Sequence, residues 1–239
     1  MAPPPLLNRV AAEACATFAL VFAGCGAIIA DARYDGALGV VGVAIVFGLA
    51  IMTMVYATGH LSGAHINPAV TIAFTVSRHF PLRDALAYIP AQLAGASAAA
   101  GVLYAAWTDK PAHLGATVPT VGAGQALLYE VVLTALLMFV IMAVATDTRA
   151  VGASAAIAIG GVIGMDALFG GPVTGASMNP ARSFGPALVS GEWHDFWVYV
   201  VGPPLGAIAG ALAYQFVRGG PEGPEPVRES LTSAGRRLP

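Results

Sequence analysis

The sequence predicts an all-α membrane protein of six transmembrane helices and two re-entrant half-helices, arranged as an inverted repeat. Three observations predict this fold class. Of 239 residues, 57% are hydrophobic and only 10% are charged, against roughly 25% charged in ordinary soluble domains; a water-soluble core cannot use that much apolar surface. Two nine-residue stretches match each other, Ser62-Gly63-Ala64-His65-Ile66-Asn67-Pro68-Ala69-Val70 and Thr174-Gly175-Ala176-Ser177-Met178-Asn179-Pro180-Ala181-Arg182, with their asparagines 112 positions apart (179 minus 67). Each half of the chain carries three long apolar segments. Three is an odd number, so the second half runs through the bilayer upside down relative to the first.

At about 20 apolar residues per crossing, the spans read as 7–30, 38–58, 83–106, 124–146, 151–170 and 195–217. The N-terminus, Met1-Ala2-Pro3-Pro4-Pro5, lacks the basic region of a cleaved signal, so the first span is expected to be retained. The two Asn-Pro-Ala segments, about 67–78 and 179–189, are half the crossing length. Asn is a good helix N-cap, and Pro suits the first helical position, where its missing N–H would have had no partner. Each motif therefore reads as an irregular loop that starts a short helix, enters the membrane and turns back. Such backbone is tolerated at membrane depth only where protein buries it or a water-filled cavity lies beside it. In an inverted repeat the two half-helix N-termini meet near the midplane.

The repeat extends beyond the motifs. Glu13-x-x-x-Thr17 matches Glu130-x-x-x-Thr134 at an offset of 117, and Tyr88 and Gly95 match Tyr199 and Gly206 at 111. Small residues at Ala91, Gly95 and Ala99, and at Gly202, Gly206 and Gly210, let helix backbones approach closely; packing within one subunit is the favoured reading. Arg9, Arg78, Arg83, Arg149, Arg218, Arg228, Arg236 and Arg237 fall on one side of this topology, and Arg33 and Lys110 on the other. The positive-inside rule then puts both termini in the cytoplasm. The organisation expected is a cytoplasmic segment 1–6, a channel domain 7–217 with repeats at about 7–106 and 124–217, and a disordered Pro/Gly-rich cytoplasmic tail 218–239. Loop 107–123 should lie over the pore mouth; its sequence carries no mechanism.

A net charge of −2 without a basic stripe gives no reason to expect nucleic acid. Cys15 and Cys25 are separated by ten residues of helix, about 15 Å, too far for a disulfide. His60 and His65 are five apart, not at the spacing of a helical metal pair. No metal, no cofactor and no catalytic constellation is expected, and the lipid bilayer is the evident partner.

The candidate functional residues sit where charge or amide meets membrane depth. Asn67 and Asn179 carry amide groups with two donors each, able to bond a passing oxygen from both sides in front of helix ends bearing about +0.5 charge. That field repels protons and cations. The plainer reading, that both only cap helices, leaves their duplication unexplained. Arg182, one turn after Asn179, is a charge within the membrane, at a cost of at least ~2.5 kcal/mol on insertion scales. It reads as a pore residue that donates to solute oxygens, with an ordinary salt bridge as the plainer reading. Glu13 and Glu130 read as a proton relay or, preferred, as acceptors for backbone N–H groups of the re-entrant loops. His65 is expected to join that support.

Together the paired Asn67-Pro68-Ala69 and Asn179-Pro180-Ala181 boxes, the Glu-x-x-x-Thr openings and Asn179-Pro-Ala-Arg182-Ser-Phe-Gly-Pro-Ala resemble the aquaporin, or major intrinsic protein, family over about residues 7–217. The resemblance implies the hourglass fold, a homotetramer with one pore per subunit, and passage of water or small neutral solutes. It also implies a selectivity ring, whose positions here are Phe47, Ala167, Ala176 and Arg182. Strict water channels in the family carry His at the Ala167 position; glycerol channels typically follow the arginine with Asp, where this chain has Ser183. Tyr199 and Val200, ahead of Gly202-Pro203, match neither pattern, and the filter looks closest to nodulin-26-like channels and their bacterial relatives. A one-residue slip would put Asp166 in place of Ala167. The function expected is a passive channel of the plasma (inner) membrane for water, glycerol, urea or uncharged metalloid acids, excluding protons and ions. A water-selective channel is the alternative. A secondary transporter is a weaker reading, since six spans leave little room for a coupling site and rocking domains.

Overall fold

The computed structural model describes residues 4–147 and 154–219. Eight α-helices occur among them: α1 (Leu6–Arg33), α2 (Gly39–Ser62), α3 (Pro68–Val76), α4 (Leu82–Ala106), α5 (Ala123–Thr146), α6 (Ala155–Thr174), α7 (Pro180–Ser190) and α8 (Phe196–Arg218). Six are long and apolar enough to cross a membrane. The other two, α3 and α7, have 9 and 11 residues, about 14 and 17 Å at 1.5 Å per residue, against about 30 Å of hydrocarbon.

Helix ends differ from those read off hydropathy, and local chemistry explains the difference. The second span runs on to Ser62 rather than stopping at 58, because it is Gly63, at φ +88°, that ends it. The fifth ends at Thr174 rather than 170, where Gly175 takes φ +83°; residues 151–153, assigned to that span, lie outside the described residues. Both glycines supply left-handed C-caps that other residues adopt only at a cost. α3 starts one residue later than predicted and stops two sooner, since Asn67 caps it and Arg78 turns left-handed at φ 65°. Of the tail 218–239 expected to be disordered, Arg218 instead ends α8 and Gly219 caps it; residues 220–239 lie outside the described residues.

The long helices pair by half and the short ones across halves. α1 packs on α4 and α5 on α8, the same pair in each repeat, while α2 packs on its counterpart α6. The half-helices swap: α3 lies against α8 and α7 against α4. Gly95 of α4 allows the close packing of α1 on α4, because a Cβ there would strike the Ala14 carbonyl. Gly206 of α8 does the same against Val131, the residue 117 positions beyond Ala14. Gly202 and Gly210 continue the contact on α5, so this small-residue stripe packs within the subunit. Two buried tyrosines mark the symmetry again. Tyr88 donates to the Ser62 carbonyl at 2.9 Å and Tyr199 to the Thr174 carbonyl at 2.5 Å, each using the last helix of its half to satisfy the end of the second.

Polar ends gather as the charge pattern requires. Arg9 meets Asp84 at 2.8 Å, Arg218 meets Asp147 at 3.2 Å, and Gln215 donates to the Ser77 carbonyl at 3.4 Å. These contacts join the starts of α1 and α4 to the same end of the molecule as the ends of α3, α5 and α8. Arg33 meets Asp109 at 3.7 Å at the other end. Of the arginines counted for orientation, Arg149, Arg228, Arg236 and Arg237 lie outside the described residues.

Gly206→Val would drive a branched side chain into the Val131 carbonyl and should lower stability by about 1–3 kcal/mol. Gly101→Ala, whose new methyl meets open space, should be neutral or slightly stabilising. Thermal unfolding midpoints in detergent test the contrast.

Candidate functional site

The site grows from the two loops that precede α3 and α7. In the first, Gly63, Ala64 and Ile66 have φ of +88°, +48° and +57°; in the second, Gly175, Ala176 and Met178 have +83°, +40° and +52°. Left-handed backbone at a β-branched isoleucine costs on the order of 1–3 kcal/mol, so other contacts must hold it. The membrane carboxyls provide them. Glu13 accepts from His65 N–H at 2.9 Å, Ile66 N–H at 2.6 Å, the Ser62 hydroxyl at 2.7 Å and Gln92 Nε2 at 2.8 Å. Glu130 accepts from Ser177 N–H at 2.9 Å, Met178 N–H at 2.8 Å and the Thr174 hydroxyl at 2.7 Å. Both carboxyls accept two backbone N–H groups from their loop, and both are fully buried. The position matching Gln92 at an offset of 111 is Pro203, so the second carboxyl has one donor fewer.

Held this way, the loops present two helix starts to each other. Asn67 Oδ1 caps α3 through Ala69 N–H at 2.8 Å, and Asn179 Oδ1 caps α7 through Ala181 and Arg182 N–H at 3.0 and 3.3 Å. Their amide nitrogens cross-link the halves. Asn67 Nδ2 donates to the Met178 carbonyl at 2.7 Å, and Asn179 Nδ2 to the Ile66 carbonyl at 2.9 Å. One N–H of each is committed to the opposite loop, leaving one for the lumen.

His65 belongs to the same support. Its Nδ1 lies 3.1 Å from Thr71 Oγ1, which also receives Gln92 Nε2 at 3.1 Å and donates to the Asn67 carbonyl at 3.0 Å. The ring packs among Phe74, Phe80 and Tyr88. In the second half Ser177 and Ser183 take the equivalent places, 2.6 Å apart, with the Thr117 hydroxyl donating to Ser183 at 2.7 Å.

A narrow cavity of about 60 Å³ runs past both asparagines, with His65, Phe74 and Ile141 toward one end and Phe47, Ala167, Ala176 and Arg182 toward the other. A wider one, about 390 Å³, opens beyond them to Asp31 and His113. The two share Phe47, Ala167 and Arg182, which stand at their junction. Ala167 lines both cavities, whereas Asp166 is fully buried away from them with no hydrogen-bond partner on either oxygen. The register of α6 thus turns Ala167, not Asp166, to the lumen. The Arg182 guanidinium stands 5.0 Å from the Phe47 ring centroid and donates from Nη1 to the Gly115 carbonyl at 2.7 Å. It makes no ion pair among the described residues, which removes the plain salt-bridge reading. Loop 107–122 is therefore more than a cover, since it reaches in to the arginine. Sequence reasoning missed Gly115 and Thr117, which sit in the unrepeated connection, and Thr71 and Gln92, which look like ordinary helix residues; Ser183 was noted only as the residue after Arg182, not as a brace. Ser62 and Thr174 were visible as the first residues of the duplicated stretch.

The family described as Major intrinsic protein matches residues 2–214. The chain belongs to that family. Among curated major intrinsic proteins it is 52% identical to aquaporin NIP1-1 of Zea mays over 214 residues, covering 90% of this chain and 76% of that one. Its identity to nodulin-26 of Glycine max is 48%, covering 90% and 79%. The X-ray structure of the aquaglyceroporin from Plasmodium falciparum superposes with a TM-score of 0.79 at 26% identity, covering 90% of this chain and 98% of that one. This major intrinsic protein is accordingly a membrane channel of the NIP type with the aquaporin fold, not an enzyme.

Removing a loop-holding carboxyl leaves buried N–H groups without partners, at about 1–3 kcal/mol each. Glu130→Ala orphans two such groups and should lower the thermal midpoint in detergent more than Glu130→Gln, which keeps one acceptor oxygen. Equal midpoints for Glu130→Ala and the parent would show that water replaces the carboxyl.

Proposed function

We propose that this chain is a passive channel for water and small uncharged solutes, in the class of glycerol, urea and neutral metalloid acids, and that it excludes protons and ions. The observation that carries the reading is that two methyl side chains, Ala167 and Ala176, line the central cavity together with Phe47 and Arg182. In this reading these four residues are the selectivity ring. Methyl groups leave room where an imidazole would stand, and the arginine and the aromatic face supply a donor and an apolar wall for an alkyl or hydroxyl solute. The structural relative from Plasmodium falciparum is an aquaglyceroporin, in agreement with that solute class.

The ring and the midplane divide the work. Arg182 donates to solute oxygens and repels cations. At the centre, the remaining N–H of Asn67 and of Asn179 both offer donors to one passing oxygen, in front of two helix ends each carrying about +0.5 charge. A water that accepts from both sides cannot also accept a proton from its neighbour, so a proton wire is broken there. Asn67, Pro68, Ala69, Asn179, Pro180 and Ala181 form this barrier, with Glu13, Glu130 and His65 behind it.

The reading places residues 7–217 in the channel domain, both termini in the cytoplasm and the protein in the plasma (inner) membrane as a homotetramer. The arginines gathered at the Arg9 end support the orientation, and the family likeness supports the tetramer. Water selectivity is the second reading, favoured only by the narrowness of the central cavity.

Swelling of proteoliposomes against a panel of solutes separates the two. Glycerol and urea should enter along with water, in proportion to their gradients and without ion dependence; water flux alone would overturn the proposal. Ala167→His should lower the glycerol-to-water permeability ratio by about tenfold, and an unchanged ratio would place position 167 outside the ring. Arg182→Ala should raise glycerol passage and let protons leak, read by a trapped pH dye.

A further inference from the structure

The connection between α4 and α5 contains an unusual turn. Lys110, Ala112, His113 and Leu114 have φ of 52°, 45°, 50° and 56°, and Gly115 follows at 76°. Left-handed backbone is unfavourable at each non-glycine residue, so contacts must hold the turn. Leu114 is fully buried beside Val21, Ile29, Ala99 and Leu103. Lys110 Nζ donates to the Ser190 carbonyl at 3.1 Å, and Thr117 bonds Ser183 on α7 at 2.7 Å. The turn delivers one carbonyl, that of Gly115, to Arg182 Nη1. Arg182 Nε has no hydrogen-bond partner, so that carbonyl and the Phe47 face are what orient the guanidinium.

Behind the carbonyl stands Cys25 of α1, fully buried, its thiol 3.7 Å from the same oxygen. A Cβ at position 115 would lie 2.7 Å from Cys25 Cβ and 3.1 Å from its sulfur. Glycine is required there twice over, by its φ and by lack of space. α1, the turn and the arginine are thus in series, joined at the Gly115 carbonyl.

The geometry points to Gly115 and Cys25 as positioning residues for Arg182: their close contact sets the carbonyl, the carbonyl sets the guanidinium, and the guanidinium sets the ratio in which water and larger neutral solutes pass. This rests on the reading of Phe47, Ala167, Ala176 and Arg182 as the selectivity ring. Neither residue touches solute. A methyl added on either side must push the carbonyl away from the arginine or tilt it, because the neighbouring atoms are backbone or Cβ and have nowhere to swing. Serine at position 25 keeps the volume and a donor, so it should keep the arginine where it is.

Water and glycerol permeabilities of the full-length protein in proteoliposomes, normalised to reconstituted channel, test this. Arg182→Ala should raise the glycerol-to-water ratio, and Cys25→Val and Gly115→Ala should move it the same way by about fivefold. Cys25→Ser should hold the parent ratio, as should Cys15→Val, since Cys15 is exposed on the outer face. A purely structural role would lower both permeabilities together and leave the ratio fixed. If Arg182→Ala moves the ratio while Cys25→Val and Gly115→Ala do not, the positioning role is overturned and the ring stands. If Arg182→Ala leaves the ratio unmoved, the ring reading falls and takes this inference with it. Should Gly115→Ala give no folded protein, Cys25→Val decides alone.

Discussion

Two carboxyl groups buried in the membrane, each accepting backbone N–H groups from a loop that is neither helix nor strand, are what the rest of this molecule depends on. A chain that dips halfway into a bilayer exposes amide donors where there is no water to receive them. Glu13 and Glu130 take those donors, and only then can Ile66 and Met178 keep their left-handed conformations. The carboxyls are therefore part of the backbone's hydrogen bonding in all but connectivity. A titrating relay would need groups free to exchange partners; here nearly every acceptor position is occupied.

From that support the geometry follows in steps. The fixed loops set Asn67 and Asn179 at the starts of α3 and α7, and the amides tie the halves together through the Met178 and Ile66 carbonyls. The tie brings both helix starts to one point in the lumen. One turn further along α7, Arg182 comes level with Phe47 and Ala167. The two halves are not equivalent at this level. Gln92 and His65 brace the first loop through Thr71, whereas Ser177 and Ser183 brace the second with help from Thr117 of the outer connection.

Much of this was legible in the sequence because duplication writes the same requirement twice. The Asn-Pro-Ala boxes, Glu13 with Glu130, and Tyr88 with Tyr199 each recur at nearly one offset, and each pair does the same physical task. Helix ends were less legible. Hydropathy reports contact with lipid, while Gly63 and Gly175 end their helices by backbone conformation, four residues past the ends that hydropathy suggests. The role of Gly115 was not legible at all, since the outer connection has no counterpart in the other half and its contact with Arg182 is made by a carbonyl that every residue possesses. The same holds for Gln92, whose importance lies in which helix faces it.

The exchange of short helices between halves has a consequence for what each half could be alone. α3 rests mainly on α8, and α7 on α4, with lesser contact to α4 and α8 of their own repeats. Each repeat thus supplies most of the bed for the other's stub, and a severed half would leave that stub largely uncovered.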